Sequence, residues 1–197
     1  MQVNRAAGFT FASAMRNFLR HDPDVIMVGE IRDRETADIA VESALTGHLL
    51  LSTLHTNTAA STITRLLDLG VEAYLLRASL LAVISQRLVR LTCPHCRDVE
   101  VIAPRIREAL GVGADEVFHI GRGCTQCEGL GVHKRQAVYE MLVMSQRLRE
   151  LVVPGAEADT IHRVAVEEGM RPITQAAVAL ARTGAISLAE VWRVRAD

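Results

Sequence analysis

Residues 22–33, Asp22-Pro23-Asp24-Val25-Ile26-Met27-Val28-Gly29-Glu30-Ile31-Arg32-Asp33, decide the fold class. Four apolar residues run unbroken and stop at a Gly-Glu pair. Such a run fits a strand buried on both faces of a parallel α/β sheet, although periodicity alone does not separate it from a buried helical segment. Pro23 and its neighbouring aspartates mark a loop leading into the strand. Glu30 then emerges where the strand ends, which is where open α/β sheets place their ligands. A carboxylate there can order Mg²⁺ or activate a water. Taken alone, it reads first as a solvated strand-end acid, and the rest of the chain gives it a role.

Outward from this stretch, Thr10 is placed to cap a helix running to about His21. Asp33 is placed to cap a second helix over residues 34–46, closed by Gly47. Leu49-Leu50-Leu51-Ser52-Thr53-Leu54 reads as a second buried strand, delivering His55-Thr56-Asn57-Thr58 at its end, and Thr58 can cap the next helix. Strand, helix, strand, helix in this order is the βαβ pattern of a parallel sheet with covering helices. The stripe Leu76, Leu80, Val83, Ile84, Leu88, Leu91 predicts a long amphipathic helix over residues 72–91. A Pro-, Gly- and Cys-punctuated module follows to about residue 143. The remainder is helical, with Ser187 and Glu190 spaced as a capping box for the last helix.

The 197 residues suffice for one large or two small domains, and 22 Lys+Arg against 23 Asp+Glu give no bulk field for nucleic acid or anionic lipid. No signal-peptide pattern is visible, and no apolar run approaches the roughly 20 residues that a membrane-spanning helix needs. The four cysteines form two CxxC pairs, Cys93-Pro94-His95-Cys96 and Cys124-Thr125-Gln126-Cys127. Four thiolates on two tight knuckles are the usual grip on a tetrahedral Zn²⁺, and four protein ligands make the site structural rather than catalytic. Free buried cysteines or a redox pair are the competing reading. His95 lies inside one knuckle and could substitute as a ligand, but is expected to face solvent.

Three further groups carry chemistry. His48 and His55 bracket the second strand, and His55 is expected at the same sheet edge as Glu30, where imidazole and carboxylate could contact a γ-phosphate and orient water. Arg16, Arg20 and Arg32 cluster around the first strand. Arginine neutralises developing phosphoryl charge, often across a subunit boundary, and surface ion pairs are its ordinary alternative.

Residues 11–30 (FASAMRNFLRHDPDVIMVGE), Ile31-Arg32-Asp33, Glu35-Thr36-Ala37, residues 46–58 (TGHLLLSTLHTNT) and 85–91 (SQRLVRL) together resemble the secretion-ATPase superfamily. The CPHC…CTQC module and Val138-Tyr139-Glu140-Met141-Leu142 resemble its type II secretion and type IV pilus assembly branch, since retraction ATPases generally lack that insertion. The resemblance implies a RecA-like, P-loop-type parallel sheet, here partial, with a small tetracysteine zinc module and a C-terminal helical bundle. The divisions would be residues 1–91, 92–143 and 144–197. It implies ATP and Mg²⁺ as ligands of the complete protein, and a homo-hexameric ring with ATP between subunits or domains. The partners would be an inner-membrane platform protein and the cytoplasmic domains of the machine, with no nucleic acid, and the place would be the cytoplasmic face of the inner membrane. Glu30 matches the family's Walker B glutamate, with Gly29 where other P-loop proteins carry an aspartate. His48 and His55 match its histidine box, with His55 as the phosphate contact. Arg16, Arg20 and Arg32 match arginines linked to nucleotide sensing and subunit contacts.

No GxxxxGK[ST] occurs in these residues, and the acidic box and N-terminal domain of the family do not precede Gln2-Val3-Asn4. The chain therefore reads as the C-terminal portion of such a motor, expected on its own neither to bind ATP tightly nor to hydrolyse it. A non-hydrolysing, zinc-stabilised docking module is the alternative from another class, and a pilus retraction ATPase is a third.

Overall fold

The computed structural model describes residues 11–18, 21 and 23–195, leaving aside the side chains of residues 11, 12, 15 and 16. Thr10, Arg20 and the Arg16 side chain lie outside the described residues. The chain forms two compact units, Met1–Val83 with Leu142–Glu168, and Ile84–Met141 with Gly169–Asp197.

The first unit carries α1 (Phe11–Phe18), β1 (Val25–Val28), α2 (Arg34–Leu45), β2 (Leu49–Ser52), α3 (Ala59–Asp68) and α4 (Ala73–Ser79). β1 and β2 pair in parallel with Val25 opposite Leu49 and Val28 opposite Ser52, and α2 makes the crossover. Asp33 caps α2, its Oδ1 accepting from Thr36 N–H at 2.9 Å. Thr58 caps α3 in a reciprocal box with Ser61. Ile26 and Val28 pack with Leu50 against Ile39 and Ala40 of α2. The expectation of strands buried on both faces needs correcting. Val25 is 54% and Met27 79% exposed, with Leu49 and Leu51 beside them, because α2 covers only the opposite face. Later in the chain, α6 (Gln146–Leu151) and α7 (Ala158–Glu167) complete this unit, α7 packing on α3.

The helix expected over residues 72–91 is not formed. α4 ends at Ser79, Leu80 turns extended, and β3 (Ala82–Thr92) follows. β3 pairs with β6 (Val132–Val143), Met144 N–H reaching the Leu81 carbonyl at 2.9 Å and Cys93 N–H the Gly131 carbonyl at 2.9 Å, as an antiparallel ribbon requires. Leu, Arg and Gln favour a helix locally. The β-branched Val83, Ile84, Val89 and Thr92 and a distant partner strand override them.

The second unit holds β4 (Arg97–Val99), α5 (Pro104–Ala109) and β5 (His119–Gly121), with most of the β3–β6 ribbon, α8 (Ile173–Arg182) and α9 (Leu188–Val194). Its core gathers Val89, Phe118 and Val138 with Ile173, Ala177, Ile186 and Val191. Three buried carboxylates tie the last helices down. Glu140 accepts from Ile173 N–H at 3.1 Å, supplying a cap that Pro172 lacks. Glu100 accepts from Leu188 and Ala189 N–H at 2.7 and 2.9 Å. The capping box expected at α9 forms only by half. Ser187 Oγ accepts from Glu190 N–H at 3.1 Å, but the Glu190 carboxylate turns to Arg90 N–H at 2.7 Å and to the Arg90 and Arg193 guanidinium groups.

Candidate functional site

The carboxyl end of the β1–β2 pair is built from backbone first. Ile31 N–H donates to the Thr53 carbonyl at 3.0 Å, and Thr53 Oγ1 donates to the Gly29 carbonyl at 2.6 Å. These two bonds continue the pairing past the strand ends and fix the turn that projects Glu30. Thr53 was not singled out by sequence reasoning. Its signal is a hydroxyl directly before Leu54-His55, where a parallel partner would offer a carbonyl.

Glu30 is 21% exposed, and two cationic or polar groups converge on its Oε2: Arg32 Nε at 2.7 Å and His55 Nε2 at 3.3 Å. Oε1 takes no hydrogen bond among the described residues. Hydrogen bonding from Arg32, outweighing partial burial, holds the carboxyl below its ordinary value, with a smaller contribution from His55. Glu30 is therefore ionised at neutral pH, with one oxygen oriented and the other without a hydrogen-bond partner among the described residues. His55 is 86% exposed and Arg32 66%, so both can reach a ligand in solvent.

His48 lies elsewhere. It precedes β2 at the amino end of the strand, and the four residues of β2 alone span about 13 Å. Its Nδ1 is 3.0 Å from the Ser43 carbonyl and 3.2 Å from Thr46 Oγ1. A carbonyl only accepts, so Nδ1 carries the proton and Nε2 is left facing away from that turn. The structure thus brings Glu30, Arg32 and His55 together and keeps His48 apart from them.

The four cysteines of the second unit converge. Their Sγ atoms all lie within 4.8 Å of one another. Cys93–Cys124, Cys96–Cys127 and Cys124–Cys127 are 3.9, 3.8 and 3.7 Å apart. A disulfide would need about 2.05 Å. A tetrahedron with metal–sulfur bonds of about 2.3 Å has edges of about 3.8 Å, so the donor set fits a tetrahedral soft cation. The tetrad could hold a metal ion. Backbone N–H groups of Gly123, Cys124 and Gly131 point at Cys96 and Cys127 Sγ, each at 3.2 Å. The knuckles are backed by glycines in direct contact, since a Cβ on Gly121 would overlap the Gly131 carbonyl, and one on Gly131 the Gly121 carbonyl. His95 is exposed, as expected.

The fold is similar to that of ATPases of secretion and pilus machines. The ATPase DotB of Legionella pneumophila superposes with a TM-score of 0.65 at 27% identity, over 94% of this chain and 42% of that one. The pilus retraction motor PilT with bound ADP does so with a TM-score of 0.64 at 28% identity, over 95% of this chain and 44% of that one. Residues 1–193 match the sequence profile of the type II/IV secretion system protein family, and the chain belongs to that family. It is 46% identical over 194 residues to the type IV pilus assembly ATPase PilB of Thermus thermophilus, covering 96% of this chain and 22% of that protein. It is 44% identical over 195 residues to the type II secretion system protein E of Aeromonas hydrophila, covering 98% of this chain and 39% of that protein. The chain thus spans well under half the length of the relatives it matches.

Proposed function

We propose that, within its complete protein, this chain supplies the Glu30 side of an ATP-hydrolysing motor that drives type II protein secretion or assembly of a type IV pilus. The observation that carries this reading is the ionised carboxylate at the carboxyl end of β1, held through one oxygen by Arg32 and His55. Glu30 orients the attacking water and receives its proton. His55, exposed beside Glu30, would contact the terminal phosphate, and Arg32, paired with Glu30 in this structure, would turn to phosphoryl charge as it develops. Mg²⁺ bound with the nucleotide would neutralise part of the phosphate charge. Arg16, Arg20 and His48 belong to nucleotide sensing or subunit contacts rather than to the hydrolytic step.

Met1–Val83 with Leu142–Glu168 then carries part of a RecA-like core, and Ile84–Met141 with Gly169–Asp197 the structural module, so the expected divisions at residues 91 and 143 and a separate helical subdomain over 144–197 are replaced by these two units. Zn²⁺ is the ion that the four cysteines would take, through the two buried thiolates Cys93 and Cys127 and the half-buried Cys96 and Cys124. The motor would act as a hexamer against membrane components of its machine. Among the described residues no helix is long and apolar enough to cross a membrane. In the full-length protein, Glu30→Gln is expected to lower kcat for ATP at least about hundredfold with KM changed less than about threefold, the pattern of a lost transition-state contact. An unchanged kcat would refute the assignment.

A further inference from the structure

Glu30 sits between two peptide groups, and Thr53 holds both. Thr53 Oγ1 donates to the Gly29 carbonyl at 2.6 Å, and Ile31 N–H donates to the Thr53 carbonyl at 3.0 Å. A peptide group is planar, so a bond at one of its atoms orients the whole plane. Between them the two bonds set φ and ψ of Glu30, and with those the direction in which its side chain leaves the backbone. The hydroxyl bond matters more than its partner. Gly29 carries no Cβ to restrict its rotation, and a Cβ placed there would meet no atom within 4 Å, so side-chain packing does not hold that peptide plane. Thr53 is itself well anchored. It follows β2 directly, and three residues on Thr56 Oγ1 shares a hydrogen bond of 2.7 Å with Oγ1 of Thr62, a buried residue of α3. His55 lies on the short span between these two threonines, and its Nε2 is 3.3 Å from Glu30 Oε2. One loop thus carries His55 and, through the Thr53 hydroxyl, sets Glu30 against it.

We propose that Thr53 is a positioning residue for ATP hydrolysis, its hydroxyl holding the Gly29–Glu30 peptide so that the Glu30 carboxylate meets the attacking water in the productive geometry. This rests on the reading of Glu30 as the residue that orients that water. Thr53 touches no reacting atom and acts only through the Glu30 backbone. Loss of the hydroxyl leaves the bond from Ile31 N–H to the Thr53 carbonyl in place, so the pairing of the two strand ends survives while the Gly29–Glu30 peptide is freed to rotate. A displacement of about 1 Å at a catalytic group can cost roughly hundredfold in rate. Gly29 and Thr53 are both exposed, so water replaces the lost hydroxyl and the fold loses little.

The test is ATPase kinetics of the full-length protein, with Thr53→Val and Thr53→Ser measured beside Glu30→Gln. Valine keeps the β-branched shape without the hydroxyl, and serine keeps the hydroxyl. Thr53→Val is expected to lower kcat about tenfold or more, with KM within about threefold and Tm nearly unchanged, and Thr53→Ser to recover most of that loss. On the Glu30→Gln background, Thr53→Val should lower kcat little further, because the group it positions is already gone. If Glu30→Gln keeps the parent kcat, the reading of Glu30 fails and this proposal with it. The role of Thr53 alone is overturned if Glu30→Gln is impaired while Thr53→Val keeps the parent kcat, if serine is as poor as valine, if valine raises KM instead of lowering kcat, or if the two losses simply add. Should Thr53→Val fail to fold, Thr53→Ala against Thr53→Ser makes the same comparison.

Discussion

At Glu30 two groups compete for one oxygen, and the outcome is a carboxylate whose charge is secured while its second oxygen takes no hydrogen bond among the described residues. The Arg32 hydrogen bond is the main cause of its lowered pKa, so the ionised form persists to more acid pH than in an unpaired glutamate. Activity that needs the carboxylate is present above the folded pKa and lost as pH falls through it. Arg32→Gln should therefore move the acid limb of the kcat/KM profile upward, toward the ordinary glutamate value of 4.5. An unmoved limb would show that Arg32 does not tune Glu30. Because Arg32 is 66% exposed, its ion pair contributes little to stability, and the same substitution should leave Tm nearly unchanged. Glu30 itself was legible as a strand-end acid, because an unbroken apolar run ending in Gly-Glu leaves few other placements. Its bond to Arg32, two residues on, depends on how the chain turns after the strand.

Among the elements, local signals succeeded where one residue makes the contact. Asp33 and Thr58 cap α2 and α3 as their positions suggested, since a cap reaches only three residues ahead. They failed where a distant segment decides. The interior positions of β3 include Ser85 and Arg87, which blur its two-residue alternation, and its partner β6 begins only at Val132. Glu190 shows the same effect, for its spacing from Ser187 signalled a capping box but its carboxylate bonds Arg90, 100 residues away. Burial alone would raise this carboxyl. Hydrogen bonds from Arg193 and Arg90 outweigh it and bring it down from the ordinary 4.5 to about 2. Its stabilisation is thus complete above pH 4.5 and is lost as pH falls toward 2. Allowing for the half-exposed arginines, about 2 kcal/mol should disappear across that window. Urea titrations at stepped pH should show the loss in the parent protein and a flatter profile in Glu190→Gln; parallel profiles would contradict it. The glycine bracket of the cysteine module makes a steric prediction. Gly121→Ala pushes a methyl into the Gly131 carbonyl and should cost about 3 kcal/mol. The zinc-to-protein ratio should fall with it, and a variant that keeps full metal and Tm would show that the loops can part freely.

Across the whole molecule, chemistry is divided between two units, one carrying Glu30, Arg32 and His55, the other the cysteine tetrad. The tetrad was legible because two CxxC pairs announce four donors, and the observed sulfur separations suit one tetrahedral ion. The buried carboxylates were not, because Glu100 meets Leu188 across 88 residues and Glu140 meets Ile173 across 33, and nothing local marks either. The single-turnover fate of bound ATP in the complete protein tests the central claim, that Glu30 performs the hydrolytic step rather than holding the fold. Full-length Glu30→Gln, loaded with radiolabelled ATP and Mg²⁺ and then separated from free nucleotide, should retain its nucleotide as ATP while the parent protein converts it to ADP. Conversion to ADP by the variant at the parent rate would contradict the account.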